Sequence, residues 1–255
     1  MAPPTLLVAL SGPSSSGKTT LARLLRDALS PRLFILHEDD FYKTDADIPV
    51  VTVADGRKLQ DWDCLESVDV DALEDMLNYI KEHGQVRDEF QSKEDTNAVG
   101  EVDMDKAVIQ RWRMIFEHLL NKGAGSTIRI GIVDGFLLYS EDVKSIREKF
   151  DIKLLLKADY ATVKARRERR KGYVTLEGFW EDPGGYVDLV VWPNYVKDHS
   201  FLFEQGDVNG EVNKAVLDRL GIAAMPRDAV EDMTTCFEWA CNLLSEKIEE
   251  HLKNV

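Results

Sequence analysis

The chain has 255 residues, 44% hydrophobic and 31% charged, with a formal net charge of −14 at pH 7. This balance fits one large or two small globular domains, and the acidic surface argues against nucleic acids and anionic membranes as partners. It mildly favours a neutral or cationic substrate, although solubility alone also explains it. Cys64, Cys236 and Cys241 lack metal-ligand spacing, and no secretory signal or membrane-length apolar run is visible. We therefore expect a soluble protein of the cytoplasm.

The first predicted strand, at 6–10, leads into a loop of glycine and serine and then into a helical pattern. The loop sequence GPSSSGKT matches G-x-x-x-x-G-K-[ST], which binds nucleotide phosphates between a strand and a helix. Glycines allow backbone N–H groups to face phosphate oxygens, and the helix N-terminus adds partial positive charge. The lysine can reach the outer phosphates, and the threonine hydroxyl can ligate Mg²⁺. The predicted nucleotide site comprises Gly12, Ser14, Ser15, Ser16, Gly17, Lys18, Thr19 and Thr20.

Further along the chain, short apolar runs alternate with helical patterns. Continuous apolar strands are typical of a sheet buried on both faces, and this alternation predicts parallel strands joined by right-handed crossovers. The apolar runs lie at 6–10, 33–36, 128–133, 152–156 and, more weakly, 201–203, and the helical patterns at 19–29, 70–82, 106–120, 160–170, 185–199 and 229–253.

Two segments fall outside this alternation. The polar stretch 85–105 has the composition of a disordered excursion rather than a functional element. The stretch 171–185 is rich in glycine and aromatic residues, which is typical of a mobile cover over an active site.

The second predicted strand ends in the acidic sequence HEDDFYK. Ligands of open parallel sheets lie at the carboxyl ends of the strands, so these acids should face the nucleotide. We assign the inward position to Asp39, which can accept the proton of an attacking hydroxyl or hold water on Mg²⁺. Phe41 and Tyr42 would fix the turn. The alternative is an ordinary acidic surface turn.

The third predicted strand ends in VDGFLLY. A carboxylate at the tip of an apolar strand is costly unless it has an electrostatic role, and Asp134 is well placed to support a Mg²⁺ shell. A simple Asp-Gly turn is the alternative.

Trp62 stands between two acids in the sequence QDWDCLES. It is either a hydrophobic staple before the helix at 70–82 or a clamp for a substrate. A tryptophan face attracts a flat cationic ring by about 1–2 kcal/mol when desolvated, and a neighbouring carboxylate can accept hydrogen bonds from ribose hydroxyls.

A basic run, RRERRK, follows the fourth predicted strand and precedes the glycine-rich cover. Such runs are usually solvated helix faces, but at this place arginines can close on ATP phosphates and stabilise the transferring group. Arg166 and Arg170 lie one helical turn apart and share a face.

The chain resembles the nicotinamide riboside kinases, within the uridine-kinase-like group of phosphate-loop kinases. The motifs that carry this resemblance are, in chain order, GPSSSGKTT, HEDDFYK, QDWDCLES, VDGFLLY, RRERRKGY and DPGGYVDLVVWPNY. The resemblance covers most of the length. It implies transfer of the γ-phosphate of ATP, or of GTP in some members, with Mg²⁺, to the 5′-hydroxyl of nicotinamide riboside. The product is nicotinamide mononucleotide, a step in NAD salvage.

The resemblance also implies roles for individual residues. Many relatives carry Glu where this chain has Asp134, so the shorter acid would act on Mg²⁺ through water, and Trp62 replaces a tyrosine. The resemblance implies Asp39 as catalytic base, Trp62 and Asp63 as an aromatic-acid pair around the nucleoside, Arg166 and Arg170 facing ATP, and Arg167 and Tyr173 facing the nucleoside. We also predict that Lys18 and Arg166 are catalytic, and that Thr19, Asp39 and Asp134 hold the metal. The further predicted nucleoside contacts are Asp39, Asp40, Phe41, Tyr42 and Asp182.

These observations together predict a three-layer α/β/α phosphate-loop kinase with a five-stranded parallel sheet of order 2-3-1-4-5. We expect a single domain over 1–255, a substrate-covering insertion at about 44–125 and a short lid at about 171–186. The pyridinium of nicotinamide riboside suits a pocket of tryptophan and carboxylates, whereas uridine needs amide-like or backbone partners for its carbonyls. A uridine/cytidine kinase and a non-catalytic nucleotide sensor are the alternatives.

Overall fold

The protein is described by a computed structural model over residues 4–94, 102, 104–121, 128–170, 172–175 and 178–253, apart from the side chains of Tyr173 and Val174. Its main sheet has five parallel strands in the spatial order β2-β3-β1-β4-β5, which confirms the predicted 2-3-1-4-5. The strands are β1 (Thr5–Ser11), β2 (Leu33–His37), β3 (Arg129–Gly135), β4 (Ile152–Leu155) and β5 (Ile222–Ala224).

The position predicted for the fifth strand is wrong. Ser200–Leu202 forms a turn of 3₁₀-helix, and Phe203 makes only a single bridge to Val212. Leu202 and Phe203 are apolar because they fill the core beneath the sheet. The true fifth strand has only three residues, two of them alanine, so its pattern is too short and too weakly apolar to be detected.

The helices lie close to the predicted patterns, with two additions. Lys144–Arg147 and Lys214–Leu220 are short helices that the sequence pattern did not predict, and the pattern at 185–199 divides into a π-helical turn, Val187–Val191, and a following α-helix. The helices are α1 (Lys18–Leu29), α2 (Val70–His83), α3 (Lys106–Leu120), α4 (Lys144–Arg147), α5 (Tyr160–Glu168), α6 (Trp192–His199), α7 (Lys214–Leu220) and α8 (Met233–Lys253). In the described ranges, no helix combines the length and apolarity needed to cross a bilayer.

Two hydrophobic cores cover the two faces of the sheet. Alternate residues of a strand point to opposite faces, so Leu6, Val8 and Leu10 pack with α1, α3 and α8, while Leu7 and Ala9 pack with α2, α4, α6 and α7. Burial on both faces explains why β1 is apolar at nearly every position.

The parallel register places the carboxyl ends of three strands side by side. Asp134 of β3 is the register partner of both Leu10 in β1 and His37 in β2, and Ser11 is the partner of Gly135. The phosphate loop, which follows Ser11, therefore begins beside the acidic ends of β2 and β3.

Two antiparallel hairpins lie outside the main sheet. One pairs Val50–Thr52 with Lys58–Gln60, directly before Trp62. The other pairs Tyr173–Val174 with Phe179–Trp180, within the segment predicted to be a lid.

Candidate active site

The loop at 12–17 has a backbone conformation with positive φ angles at its two glycines. Gly12 has φ +154°, and a Cβ there would lie 2.5 Å from the carbonyl oxygen of Leu156. Gly17 has φ +100° and precedes the first residue of α1, Lys18. A side chain at either position would be strained, so the loop can adopt this turn only with glycine there.

Lys18 is folded over its own loop. Its Nζ donates hydrogen bonds to the carbonyl oxygens of Gly12 at 3.1 Å and Pro13 at 3.0 Å. Burial lowers the pKa of Lys18, whereas the negative charges of Asp39 and Asp134 act in the opposite direction. The ammonium is thus held where phosphate oxygens would meet the loop.

The loop, the acidic strand ends and the basic run surround a single cleft of about 340 Å³. Segments far apart in sequence meet there, as expected at the carboxyl edge of a parallel sheet. The predicted site residues that line the cleft are Ser14, Ser15, Gly17, Lys18, Thr19, Thr20, Asp39, Asp40, Tyr42, Trp62, Asp63, Asp134, Arg166, Arg167 and Arg170.

The remaining predicted site residues lie elsewhere. Gly12 and the buried Ser16 belong to the loop but not to the cleft wall, and Phe41 is buried in the core below it. Asp182 contacts the cleft through Arg167. The side chain of Tyr173 lies outside the described residues.

His37 fixes the orientation of Asp134. Both side chains are buried, and His37 Nδ1 lies 2.5 Å from Asp134 Oδ1. Burial opposes a charge on His37, but the hydrogen bond and the charge of Asp134 prevail and raise the pKa of His37 to about 9. A charged His37 therefore donates to the Asp134 carboxylate. The sequence reasoning gave His37 no role, although its place at the end of β2 was a signal.

Glu38 joins the ends of β2 and β3. Its Oε2 accepts hydrogen bonds from the backbone N–H groups of Phe136 at 2.7 Å and Leu137 at 3.1 Å. Burial raises the pKa of Glu38 to about 7, although these two N–H groups favour its ionised form. Gly135 leaves the necessary room, because a Cβ there would lie 2.5 Å from Glu38 Oε2. The Gly after Asp134 was the only sequence signal of this contact.

Asp39 faces the cleft beside several other charges. Burial, followed by the negative charges of Glu94 and Asp134, raises the pKa of Asp39 to about 8, and Lys18 acts in the opposite direction. A carboxylate that titrates near neutral pH has the basicity that favours proton transfer. A bound cation would lower this pKa and keep Asp39 ionised.

Arg167 connects three separate segments of the site. Its guanidinium donates to both carboxylate oxygens of Asp63, at 2.6 and 2.9 Å, and to both of Asp182, at 2.6 and 3.2 Å. A further donor reaches Ser14 Oγ in the phosphate loop at 2.9 Å. Burial raises the pKa of Asp63, whereas the charge of Arg167 acts to lower it. The planar guanidinium makes all five of these hydrogen bonds, whereas a lysine ammonium has only three N–H donors.

Aromatic rings form one wall of the cleft. Trp62 is 4% exposed and packs against Tyr42 at 5.4 Å and Trp180 at 5.6 Å between ring centroids. Trp180 lines the cleft, and its Nε1 donates to Asp182 at 2.9 Å. Sequence reasoning placed Trp180 in the lid but not among the site residues, because the distance along the chain hid its contact with Trp62.

The described part of the polar segment 85–105 contributes to the cleft, contrary to the prediction of a disordered segment without a functional role. Lys93 and Glu94 line the cleft, and Glu94 is buried. Composition alone missed this because these polar side chains are satisfied by partners from distant parts of the chain. Residues 95–101 and 103 lie outside the described residues.

No protein-family model matches the chain. It is 38% identical over 251 residues to the nicotinamide riboside kinase of Schizosaccharomyces pombe, a match that covers 96% of this chain and 98% of the relative. The chain belongs to the nicotinamide riboside kinase family. The enzymes of that name from Saccharomyces cerevisiae and Eremothecium gossypii are 36% and 34% identical, each over 80% of this chain, with 82% and 80% of their own lengths covered.

Membership of the nicotinamide riboside kinase family confirms the resemblance that the ordered motifs indicated. The individual roles given to site residues remain predictions, because identity over the whole chain does not test any single side chain.

The Arg167 contacts lead to a stability prediction. Arg167→Met should lower the free energy of unfolding by about 3–5 kcal/mol, because it leaves Asp63 and Asp182 close together without their shared cation. Urea denaturation of the variant and the parent protein measures this. The control is Lys214→Ala, which removes an exposed ion pair with Asp218 and should change stability by less than about 0.5 kcal/mol. Equal effects of the two substitutions would contradict a structural role for Arg167.

Proposed function

We propose that this protein transfers the γ-phosphate of ATP to the 5′-hydroxyl of nicotinamide riboside and so forms nicotinamide mononucleotide for NAD salvage. The observation that carries the proposal is the single cleft that joins Lys18 and Thr19 to Asp39, Trp62 and Asp63. A phosphate-binding loop, a candidate base and an aromatic-acid pair thus share one space. Relatives at 34–38% identity are named for this activity.

We propose ATP as the phosphate donor, with GTP as an alternative donor, and Mg²⁺ as the metal. Thr19, Asp39 and Asp134 offer hard oxygen ligands on the walls of one cleft, which suits Mg²⁺. Among the described residues, no three His, Cys, Asp or Glu side chains form a metal cage. Mg²⁺ fits such a site, because it keeps several waters and takes few protein ligands.

In the proposed reaction, the 5′-oxygen attacks the γ-phosphorus in line with the bond to the β-phosphate oxygen, and ADP leaves. Asp39 takes the hydroxyl proton, while Lys18 and the loop N–H groups hold the β- and γ-phosphates. Arg166 and Arg170 face the charge that spreads over the transferring group. Mg²⁺, when bound, neutralises charge on the β- and γ-oxygens.

The nucleoside would occupy the side of the cleft formed by Trp62, Trp180 and Asp63. Aromatic faces next to carboxylates favour a flat cation such as the pyridinium of nicotinamide riboside. Since Trp62 is almost buried, the half-buried Trp180 offers the larger accessible aromatic surface. Each Asp63 oxygen accepts one hydrogen bond from Arg167 and has a second lone pair that can accept a hydrogen bond from a ribose hydroxyl.

We further propose that 1–255 acts as one kinase domain, with 44–125 as an insertion and 171–186 as a lid. In support, Asp182 of the proposed lid binds Arg167, and Trp180 of the proposed lid packs on Trp62. Helix α3 of the proposed insertion packs in the core with α1 and α8, and helix α2 packs in the core on the other face of the sheet. Trp62 and Asp63, also in the proposed insertion, line the cleft.

A substrate panel tests the proposed function. Turnover should be highest with nicotinamide riboside or nicotinic acid riboside and much lower with uridine and cytidine, each measured with ATP and Mg²⁺. A tenfold preference for uridine would indicate a pyrimidine nucleoside kinase. Binding of ATP without phosphorylation of any nucleoside would indicate a nucleotide sensor.

Replacement of the proposed base tests the mechanism. Asp39→Ala should lower kcat by about 10²–10⁴-fold, the usual contribution of a positioned base, with thermal stability retained. Steady-state kinetics with nicotinamide riboside measures this. The control Glu82→Ala changes an exposed acid of α2 and should keep the parental rate. If kcat of Asp39→Ala equalled that of the parent, Asp39 would not be the base.

Truncation of the buried tryptophan tests the nucleoside side of the cleft. Trp62→Ala should raise KM for nicotinamide riboside more than KM for ATP, because the ring supports the aromatic wall proposed to face the nucleoside. Both constants are measured for the variant and the parent protein. A parallel loss of both affinities would make Trp62 a packing residue.

A further inference from the structure

The polar segment between α2 and α3 enters the cleft at the end where the phosphate loop lies. Lys93 and Glu94 line the same cleft as Lys18, Thr19 and Thr20, although some 75 residues separate them from the loop. Glu94 is a carboxylate in a largely buried position, 7% exposed, so its placement needs specific partners.

Four contacts hold this segment in place. Asp40 Oδ1 accepts the backbone N–H groups of Lys93 at 2.7 Å and Glu94 at 3.1 Å. Arg23 on α1 donates to the Glu94 carbonyl oxygen at 3.0 Å. Phe90 stacks on Phe41, with ring centroids 5.7 Å apart. The backbone of Glu94 is thus tied to the acidic turn after β2 and to the helix that follows the phosphate loop.

The Glu94 side chain points towards the arginine run. Its Oε1 lies 3.7 Å from Nη2 of Arg170, which is about one-third exposed on the cleft wall. A long arginine side chain without a fixed partner samples many rotamers, and ordering it on ligand binding costs conformational entropy. A carboxylate held by a rigid backbone reduces that cost.

We infer that Lys93 and Glu94 form a fixed wall at the phosphate end of the cleft and that Glu94 is a positioning residue for Arg170. Glu94 acts through the arginine and does not itself contact the transferred group. This inference rests on the nucleotide-binding part of the proposed function and not on the identity of the nucleoside.

The direction in which loss of the Glu94 charge changes nucleotide affinity distinguishes two roles: positioning of Arg170, and competition with phosphate for Arg170. If Glu94 orients Arg170 for phosphate, loss of its charge weakens nucleotide binding. If Glu94 instead competes with phosphate for Arg170, loss of its charge strengthens binding, because one negative group leaves the cleft.

The test is a double-mutant cycle on nucleotide affinity. Calorimetry with a non-hydrolysable ATP analogue and Mg²⁺ gives Kd for the parent protein, Glu94→Gln, Arg170→Ala and the double variant. Glu94→Gln should raise Kd by about threefold to tenfold, and the double variant should match Arg170→Ala within about twofold. Glu94→Asp, which keeps the charge, should recover part of the affinity.

Two controls separate positioning from a general loss of structure. Glu89→Gln changes an exposed acid on the same segment and should leave Kd unchanged. The Tm of Glu94→Gln should stay near that of the parent, and its KM for the riboside should change by less than about twofold.

The inference is overturned if Glu94→Gln binds nucleotide as tightly as the parent or more tightly, or if its effect adds fully to that of Arg170→Ala. Because Kd is measured without a nucleoside, a parent protein that binds nucleotide but does not phosphorylate nicotinamide riboside would refute only the proposed function.

Discussion

Buried charge at the carboxyl edge of the sheet is the constraint on which the site depends. Ionised groups away from water are stable only when opposite charges or N–H groups hold them. His37 holds Asp134, two backbone N–H groups hold Glu38, and Arg167 holds Asp63 together with Asp182. The geometry of the cleft follows from these pairings, because each one fixes two segments of chain relative to each other.

The same pairings set the chemistry that the cleft can support. Burial, and then the neighbouring acids Glu94 and Asp134, raise the pKa of Asp39, while Lys18 offers a positive charge beside it. The charge of each of the two groups, Asp39 and Lys18, therefore affects the pKa of the other. A cation or a phosphate that enters would shift this balance, so binding and proton affinity are coupled.

The contacts of Arg167 and of the Glu94 segment show how distant parts of the chain complete the site. Arg167 links the phosphate loop to Asp63 and Asp182, and the Glu94 segment is anchored by Asp40 and Arg23. Arg167 does so through carboxylate side chains, whereas Asp40 and Arg23 bind backbone groups of residues 93 and 94. In both cases, charged side chains join parts of the chain that are distant in sequence.

The sequence by itself determined the α/β class, the strand order, the phosphate loop and the family, because these depend on local patterns: apolar strands, glycines in a fixed turn and ordered motifs. It misplaced the fifth strand, since Ile222–Ala224 is too short to carry a pattern. Only the tertiary structure decided the partners of His37, Glu38, Trp180 and Glu94. Their roles arise from contacts with residues that are distant along the chain, and the register of the sheet and the packing of the loops bring these residues together.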